Sequence, residues 1–475
     1  MMDRNAALSE LTQCVGSDHV LTEASDVEAY AVDWRHKYRG SPLAVVRPAT
    51  TDAVAKTVQI AARHGLSIVA QGGNTGLAGG ATPDASGTQI ILSTKRLNRI
   101  RDWDLVGDTV TVDAGVLLET LQVEARARDR LFPLSLAAEG SCTIGGNLAT
   151  NAGGTAVLRY GNARALALGL EVVTADGMVW NGLRCLRKDN TGLDLRDLFI
   201  GSEGVLGVIT GATLQLHPQP RAIRTAMLAL SSLGAVVEMF AKTRELLGAL
   251  LTSFEVISKP CFPLLAKHFP QLRYPFESQW DAVVLVEVSD PDNEEHAQLM
   301  LEKVFNDGLS AGFLEDGVVA ESESQSLALW SLRESVSEAQ GLEGAHVKHD
   351  VALPIKSLVE FVEKANAAVD HFLPGTRCAW FGHVGDGNLH YNLLSPPEMS
   401  SDDFVARQPE LNRIVHDLVN QMDGSISAEH GLGQLRNTES ARYKSEIEMH
   451  LMRRVKDALD PSGRMNPGKV FPPVS

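Results

Sequence analysis

His383 and His390 flank the run Val384-Gly385-Asp386-Gly387-Asn388-Leu389, and an Asp-Gly pair in such a setting signals a two-residue hairpin turn. A turn at 386–387 sets Gly385 opposite Asn388 and His383 opposite His390. Directly opposed residues keep their Cβ atoms about 4.5–5.5 Å apart on one face, so the two imidazoles could share a divalent ion. Asn392 points to that same face and Tyr391 away from it. A later run, Ser425-Ile426-Ser427-Ala428-Glu429-His430-Gly431-Leu432-Gly433, reads as a short strand ending in a carboxylate, an imidazole and a glycine turn. Glu429 could complete a two-histidine, one-carboxylate site with an open position for substrate, leaving His430 to act as base. Each histidine taken alone reads first as a hydrogen-bonded structural residue, and the hairpin geometry is what brings the metal reading level with it.

The elements that must carry these residues fall into two textures. Up to about residue 220, short apolar strands at 42–48, 67–70, 89–93, 109–114 and 168–174 alternate with helices that start near Thr50 and Leu117. Three glycine-dense loops punctuate them: 71–80 (QGGNTGLAGG), 139–154 (EGSCTIGGNLATNAGG) and 201–207 (GSEGVLG). Glycines mark turns, but three such loops together suit a large ligand approached closely by backbone. Neither G-x-G-x-x-G after the first strand nor G-x-x-x-x-G-K-[ST] is present. Beyond residue 221 the glycine clusters stop. Strands near 225–230, 251–257, 281–289 and 347–353 then alternate with helices near 233–248, 292–307, 322–340, 355–371, 402–422 and 438–459, with a hairpin at 376–394.

The 475 residues call for more than one core. With 43 Lys plus Arg against 59 Asp plus Glu, the net charge of −16 excludes a nucleic-acid surface, which needs a basic footprint. Five scattered cysteines without a C-x-x-C pair argue against a disulfide framework or a thiolate zinc site. The acidic start and the lack of a bilayer-length apolar run give the expectation of a cytoplasmic protein without a transmembrane segment.

The runs VVRPATTDAVAKTVQIAARHGLSIVAQGGNTGLAGG (45–80), SCTIGGNLATNAGG (141–154) and RKDNTGLDLRDLFIGSEGVLGVIT (187–210) resemble the FAD-binding domain of the vanillyl-alcohol oxidase and p-cresol methylhydroxylase type. The resemblance implies an α+β chain. An N-terminal helical segment (1–40) would precede an FAD domain (41–220), followed by an α+β, ferredoxin-like substrate and metal-binding domain (221–459) and a C-terminal segment (460–475) returning to the FAD domain. It further implies that Pro48, Gln71, Gly72, Gly73, Asn74, Thr75, Gly76, Leu77, Gly140, Thr143, Gly145, Gly146, Asn147, Asn151, Gly153, Gly154, Glu203, Gly204, Ile209 and Asn466 surround FAD. Covalent linkage in that family runs through a His in or near the first loop or a later Cys. Residues 71–80 hold neither, His64 lies on the preceding helix and Cys142 in the second loop, so non-covalent FAD is expected.

GHVGDGNLHYNLL (382–394) and SISAEHGLG (425–433) resemble the C-terminal domain of FAD-linked D-2-hydroxy-acid dehydrogenases, and KDNTG (188–192) and WSLRESVSEAQ (330–340) are nearest the members that act on D-2-hydroxyglutarate. By that resemblance His383, His390 and Glu429 hold zinc, with manganese an alternative. Arg333, Ser337, Lys348, Asn392 and His430 contact substrate, Ser337 standing where Thr is usual. Arg333 and Ser337, at i and i+4, could reach one carboxylate, although Arg333 could equally pair with Glu334 or Glu338. The expected reaction oxidises a D-2-hydroxy acid to its 2-oxo acid, with His430 as general base and hydride transfer to the flavin. An electron-transfer flavoprotein or quinone would take the electrons. D-lactate, D-malate or glycolate oxidation, or a non-catalytic flavoprotein subunit, are the other readings, and a homodimer is the open assembly.

Overall fold

The computed structural model describes residues 3–472, so the outermost residues of the two expected terminal segments lie outside it. The chain divides into two compact units, one formed by 1–154, 161–218 and 429–475, the other by 155–160 and 219–428. The last segment thus joins the first unit from Glu429, earlier than the 460 read from the sequence. The reason lies in the two helices Asn437–Tyr443 and Glu446–Leu459: Lys456 Nζ donates to the carbonyls of Val205 (2.7 Å) and Met465 (2.9 Å) of the first unit.

In the first unit a four-stranded sheet places Gln89–Ser93 between Ala44–Val46 and Ser67–Gln71, both parallel to it. Helix Thr51–Arg63 makes the crossover; Thr50 caps it by accepting the Ala53 N–H, and Val54, Val58 and Ala61 bury its apolar stripe. Ser67–Gln71 delivers the first glycine loop at its carboxyl end, where open sheets place ligands. A five-stranded antiparallel sheet follows in the order Ile100–Asp104, Thr109–Asp113, Gly207–Gln215, Ala167–Thr174, Val179–Gly182. Half of the second glycine run is a helix, Ile144–Thr150, capped by Thr143 and ended by left-handed Asn151, where the sequence suggested a continuous loop.

The second unit is a seven-stranded antiparallel sheet in the order Leu314–Val319, Ala222–Leu230, Ala282–Asp290, Leu251–Ser258, Arg377–His383, Asn388–Leu394, His346–Ala352. Its first four strands in chain order sit as 4-1-3-2, with helices Leu233–Leu247 and Glu294–Ala311 making the crossovers, which is the ferredoxin-like arrangement. Three further strands extend the edge formed by Leu251–Ser258.

Several elements depart from the sequence reading. The helix expected at 322–340 breaks at Ser335 into Glu323–Glu334 and Val336–Glu343. The helix at 402–422 breaks at Arg407, just ahead of Pro409, and that at 438–459 breaks where Ser445 and Glu448 form a capping box. Residues 425–428 make only an isolated bridge, Ala352 to Ser425, rather than a strand. Strand Leu314–Val319 and helix Cys261–His268 were not foreseen.

Candidate active site

In the first unit the ends of the glycine loops line a concave cleft, the setting of a cofactor site. Of the expected cofactor residues, Gln71, Gly72, Gly73, Asn74, Thr75, Gly76, Thr143, Gly145, Gly146, Asn147, Glu203, Gly204 and Ile209 line it. Pro48, Leu77, Gly140, Asn151, Gly153, Gly154 and Asn466 do not. Asn466 instead braces the wall, its Nδ2 donating to the carbonyls of Gly80 (2.9 Å) and Glu203 (2.7 Å), while Asn151 accepts the Arg164 N–H. The glycines have a reason the sequence reading missed: a Cβ on Gly73 would lie 2.0 Å from the Ser141 carbonyl, and on Gly145 2.6 Å from the Ala114 Cβ. Backbone packs on backbone to shape the cleft. Gln71 Oε1, buried in this wall, has no hydrogen-bond partner from the protein and offers an acceptor to a nucleotide cofactor. Cys142 also lines the cleft, and burial pushes its thiol upward, which keeps it a poor nucleophile. His64 faces Glu10 at 2.9 Å instead.

His430 stands in the wall of the same cleft. The turn that carries it is held by Glu203, whose carboxylate accepts the N–H groups of Leu432 (2.7 Å) and Gly433 (2.8 Å). Burial raises the Glu203 carboxyl above its ordinary range despite those two donors. Glu429 Oε1 accepts the Gly154 N–H at 3.3 Å, fixing the other end of the turn to the second glycine run. Glu203→Ala should strand two backbone donors, at a cost of about 2 kcal/mol, and should lower kcat with it. Urea denaturation and steady-state kinetics on the FAD-loaded protein would read both, and unchanged kinetics would show that the turn holds itself.

In the second unit the register gathers Glu287, Glu255, His383, His390, Asp350, Lys348 and Asn392 on one face of the sheet. His383 pairs with Asn388 and His390 with Phe381, so the histidines are diagonal neighbours rather than opposed. The turn takes Val384–Asp386 in a 3₁₀ bend and Gly387 at φ 80°, not a two-residue Asp-Gly turn. A register offset of two residues preserves the face, and the rings still meet with centroids 5.6 Å apart at 75°. His383 Nδ1 lies 2.6 Å from Glu255 Oε1, and His390 Nδ1 lies 3.7 Å from Asp350 Oδ1. The His383 contact turns its Nε2 away from Glu255, the pattern that suits a metal-ligating histidine.

Arg333 is buried, its Nε and Nη2 at 2.9 and 2.8 Å from Glu255 Oε2, so Glu255 is its partner rather than Glu334 or Glu338. Burial alone would raise Glu255, but His383 and Arg333 overcome it and hold the carboxyl at about 2. Glu287, with Trp330 Nε1 donating to it at 2.8 Å, is pushed by burial up to about 7. Because the helix breaks at Ser335, Ser337 is not one unbroken turn beyond Arg333; its Oγ accepts Lys348 Nζ at 3.1 Å. Asn392 donates to Gln340 Oε1 (2.7 Å) and accepts the His349 N–H (3.2 Å).

The family model for FAD linked oxidases, C-terminal domain, matches residues 219–470, and that for an FAD binding domain matches 42–182. The chain belongs to the FAD-linked oxidase family. A D-2-hydroxyglutarate dehydrogenase of Xanthomonas citri pv. viticola is 37% identical over 97% of this chain and 96% of its own. The mitochondrial D-2-hydroxyglutarate dehydrogenase of Danio rerio is 39% identical over 95% of this chain and 83% of its own. A mitochondrial protein of Schizosaccharomyces pombe named for D-lactate dehydrogenase is 37% identical over 94% of this chain and 85% of its own. Among solved structures, substrate-bound p-cresol methylhydroxylase superposes with a TM-score of 0.74 at 16% identity, covering 98% of this chain and 97% of that one. The 4-ethylphenol oxidase of Gulosibacter chungangensis gives 0.74 at 20% identity, covering 99% and 98%. Both share the fold.

This FAD-linked oxidase is an FAD-dependent oxidoreductase. No helix among its described residues is long and apolar enough to cross a membrane. The site residues missed in the sequence include Glu255 and Glu287, on strands that otherwise read as largely apolar, Asp350 on the polar strand His346–Ala352, and the flavin-cleft residues Thr94, Ala149 and Val208. An acidic residue breaking a fully buried strand was the available signal for Glu255.

Proposed function

We propose that this FAD-linked oxidase converts a D-2-hydroxy acid, D-2-hydroxyglutarate foremost, into its 2-oxo acid. The observation that carries the reading is His430 in the wall of the cofactor cleft, on a turn anchored at both ends. A positioned imidazole there can take the proton of a C2 hydroxyl. Non-covalent FAD, when bound, supplies the two-electron acceptor for the hydride at C2. Arg333 would meet a substrate carboxylate through Nη1, since Nε and Nη2 are committed to Glu255. Lys348 and Ser337, already joined, add a second cationic and hydroxyl contact. His383 and His390 would hold a divalent cation, zinc or manganese, through Nε2. Glu429 is proposed as the third ligand: it follows Ala428 in the chain, whose N–H donates to the carbonyl of Asp350 beside His390. The cation's chemistry would be to acidify the hydroxyl. Electrons would leave to an electron-transfer flavoprotein or quinone.

The relative named for D-lactate dehydrogenase favours a second reading, a monocarboxylate substrate. Dye-coupled kcat/KM for D-2-hydroxyglutarate, D-malate and D-lactate separates the two. A site built for a distal carboxylate should penalise D-lactate by about 100-fold. Equal or greater efficiency with D-lactate would replace the first reading by the second.

A further inference from the structure

Strand Leu251–Ser258 is buried along its whole length, and hydrophobic residues surround position 255 on the chain: Phe254, Val256 and Ile257 are at most 1% exposed. A carboxylate buried there loses its hydration, and an apolar residue in its place would leave Arg333 buried without its partner. What Glu255 offers is a division of labour between its two oxygens. Oε2 takes the Nε and Nη2 edge of Arg333, and Oε1 faces His383 Nδ1 at 2.6 Å. Phe381 completes the frame, 4.8 Å beneath the Arg333 guanidinium and 4.9 Å from the ring of His390.

We propose that Glu255 is a positioning residue that sets two site groups at once: it turns Arg333 so that Nη1 faces the substrate carboxylate, and it fixes His383 as the Nδ1–H tautomer with Nε2 left to bind the cation. The inference rests on the proposed function. One carboxylate thereby couples substrate affinity to metal affinity, because a glutamine at 255 keeps a single acceptor oxygen and cannot serve both donors. A plain structural ion pair would couple neither; its loss would appear in folding stability alone.

The test uses the FAD-loaded full chain, wild type against Glu255→Gln, with zinc affinity by equilibrium dialysis and KM for D-2-hydroxyglutarate in a dye-coupled assay. Zinc binding should weaken about 10–100-fold and KM should rise at least about tenfold, at unchanged FAD content. A variant with wild-type zinc affinity and wild-type KM overturns the inference, whatever its melting temperature. If Glu255→Gln does not fold, the wild type decides: long-range ¹H–¹⁵N spectra of ¹⁵N-histidine-labelled zinc-free protein, with the His383 signal assigned by its absence in His383→Gln, should show the Nδ1–H tautomer. The Nε2–H tautomer overturns the inference. A wild type that neither binds zinc nor oxidises the substrate would instead remove the proposed function beneath it.

Discussion

Replacing His430 by alanine should lower kcat about 10²–10⁴-fold, the span that a positioned general base contributes, while the purified protein stays yellow. The expectation rests on separate supports for the turn and for its imidazole. Glu203 accepts the N–H groups of Leu432 and Gly433, and Glu429 accepts that of Gly154, so the backbone from 429 to 433 keeps its anchors when one side chain is trimmed. The cleft itself is built largely by the glycine loops and helix Ile144–Thr150, which His430 only borders. FAD content, read from flavin absorbance per polypeptide, should therefore fall far less than kcat. Parallel loss of flavin and turnover would make His430 part of the cofactor site and take the base assignment away.

The second large effect is metal removal. Dialysis against a strong chelator should reduce turnover by at least about 100-fold, and zinc or manganese added back should restore it. The histidine pair supports this because His383 faces the Glu255 carboxylate through Nδ1 at 2.6 Å, an arrangement that raises imidazole basicity, and the His390 ring lies beside it with centroids 5.6 Å apart. His383→Ala should mimic the chelator and resist rescue by added metal. Full activity after chelation, with metal analysis confirming its removal, would leave His383 and His390 as hydrogen-bonded members of the sheet. Acid precipitation gives an independent check on the flavin: colour should stay in the supernatant if the cofactor is non-covalent.

What could be read from the chain beforehand was what depends on local order. The glycine loops, the strand before the first of them and the parity that puts His383, His390 and Asn392 on one face are all short-range features, and parity survives an error of two residues in register. The turn itself was misread because Gly387 at φ 80° closes a bend that starts at Val384, so the hairpin has four residues where Asp-Gly suggested two. The helix break at Ser335 was hidden because the apolar spacing on either side continues the same stripe onto the sheet. The roles of Glu203 and Glu255 could not be seen at all. Their partners stand 229 and 128 residues away in the chain, and only the assembled fold brings an acid on one segment to the donors of another.

The order in which the segments are made carries a consequence for biogenesis. Glu429, His430 and Asn466 belong to the flavin unit, yet the whole ferredoxin-like insertion from 219 to 428 is synthesised before them. A ribosome that has finished the three glycine loops has not yet made the turn that borders the cleft or the Asn466 brace at Gly80 and Glu203. Cofactor loading therefore belongs to the end of translation, and a nascent chain arrested within the insertion should fail to retain flavin.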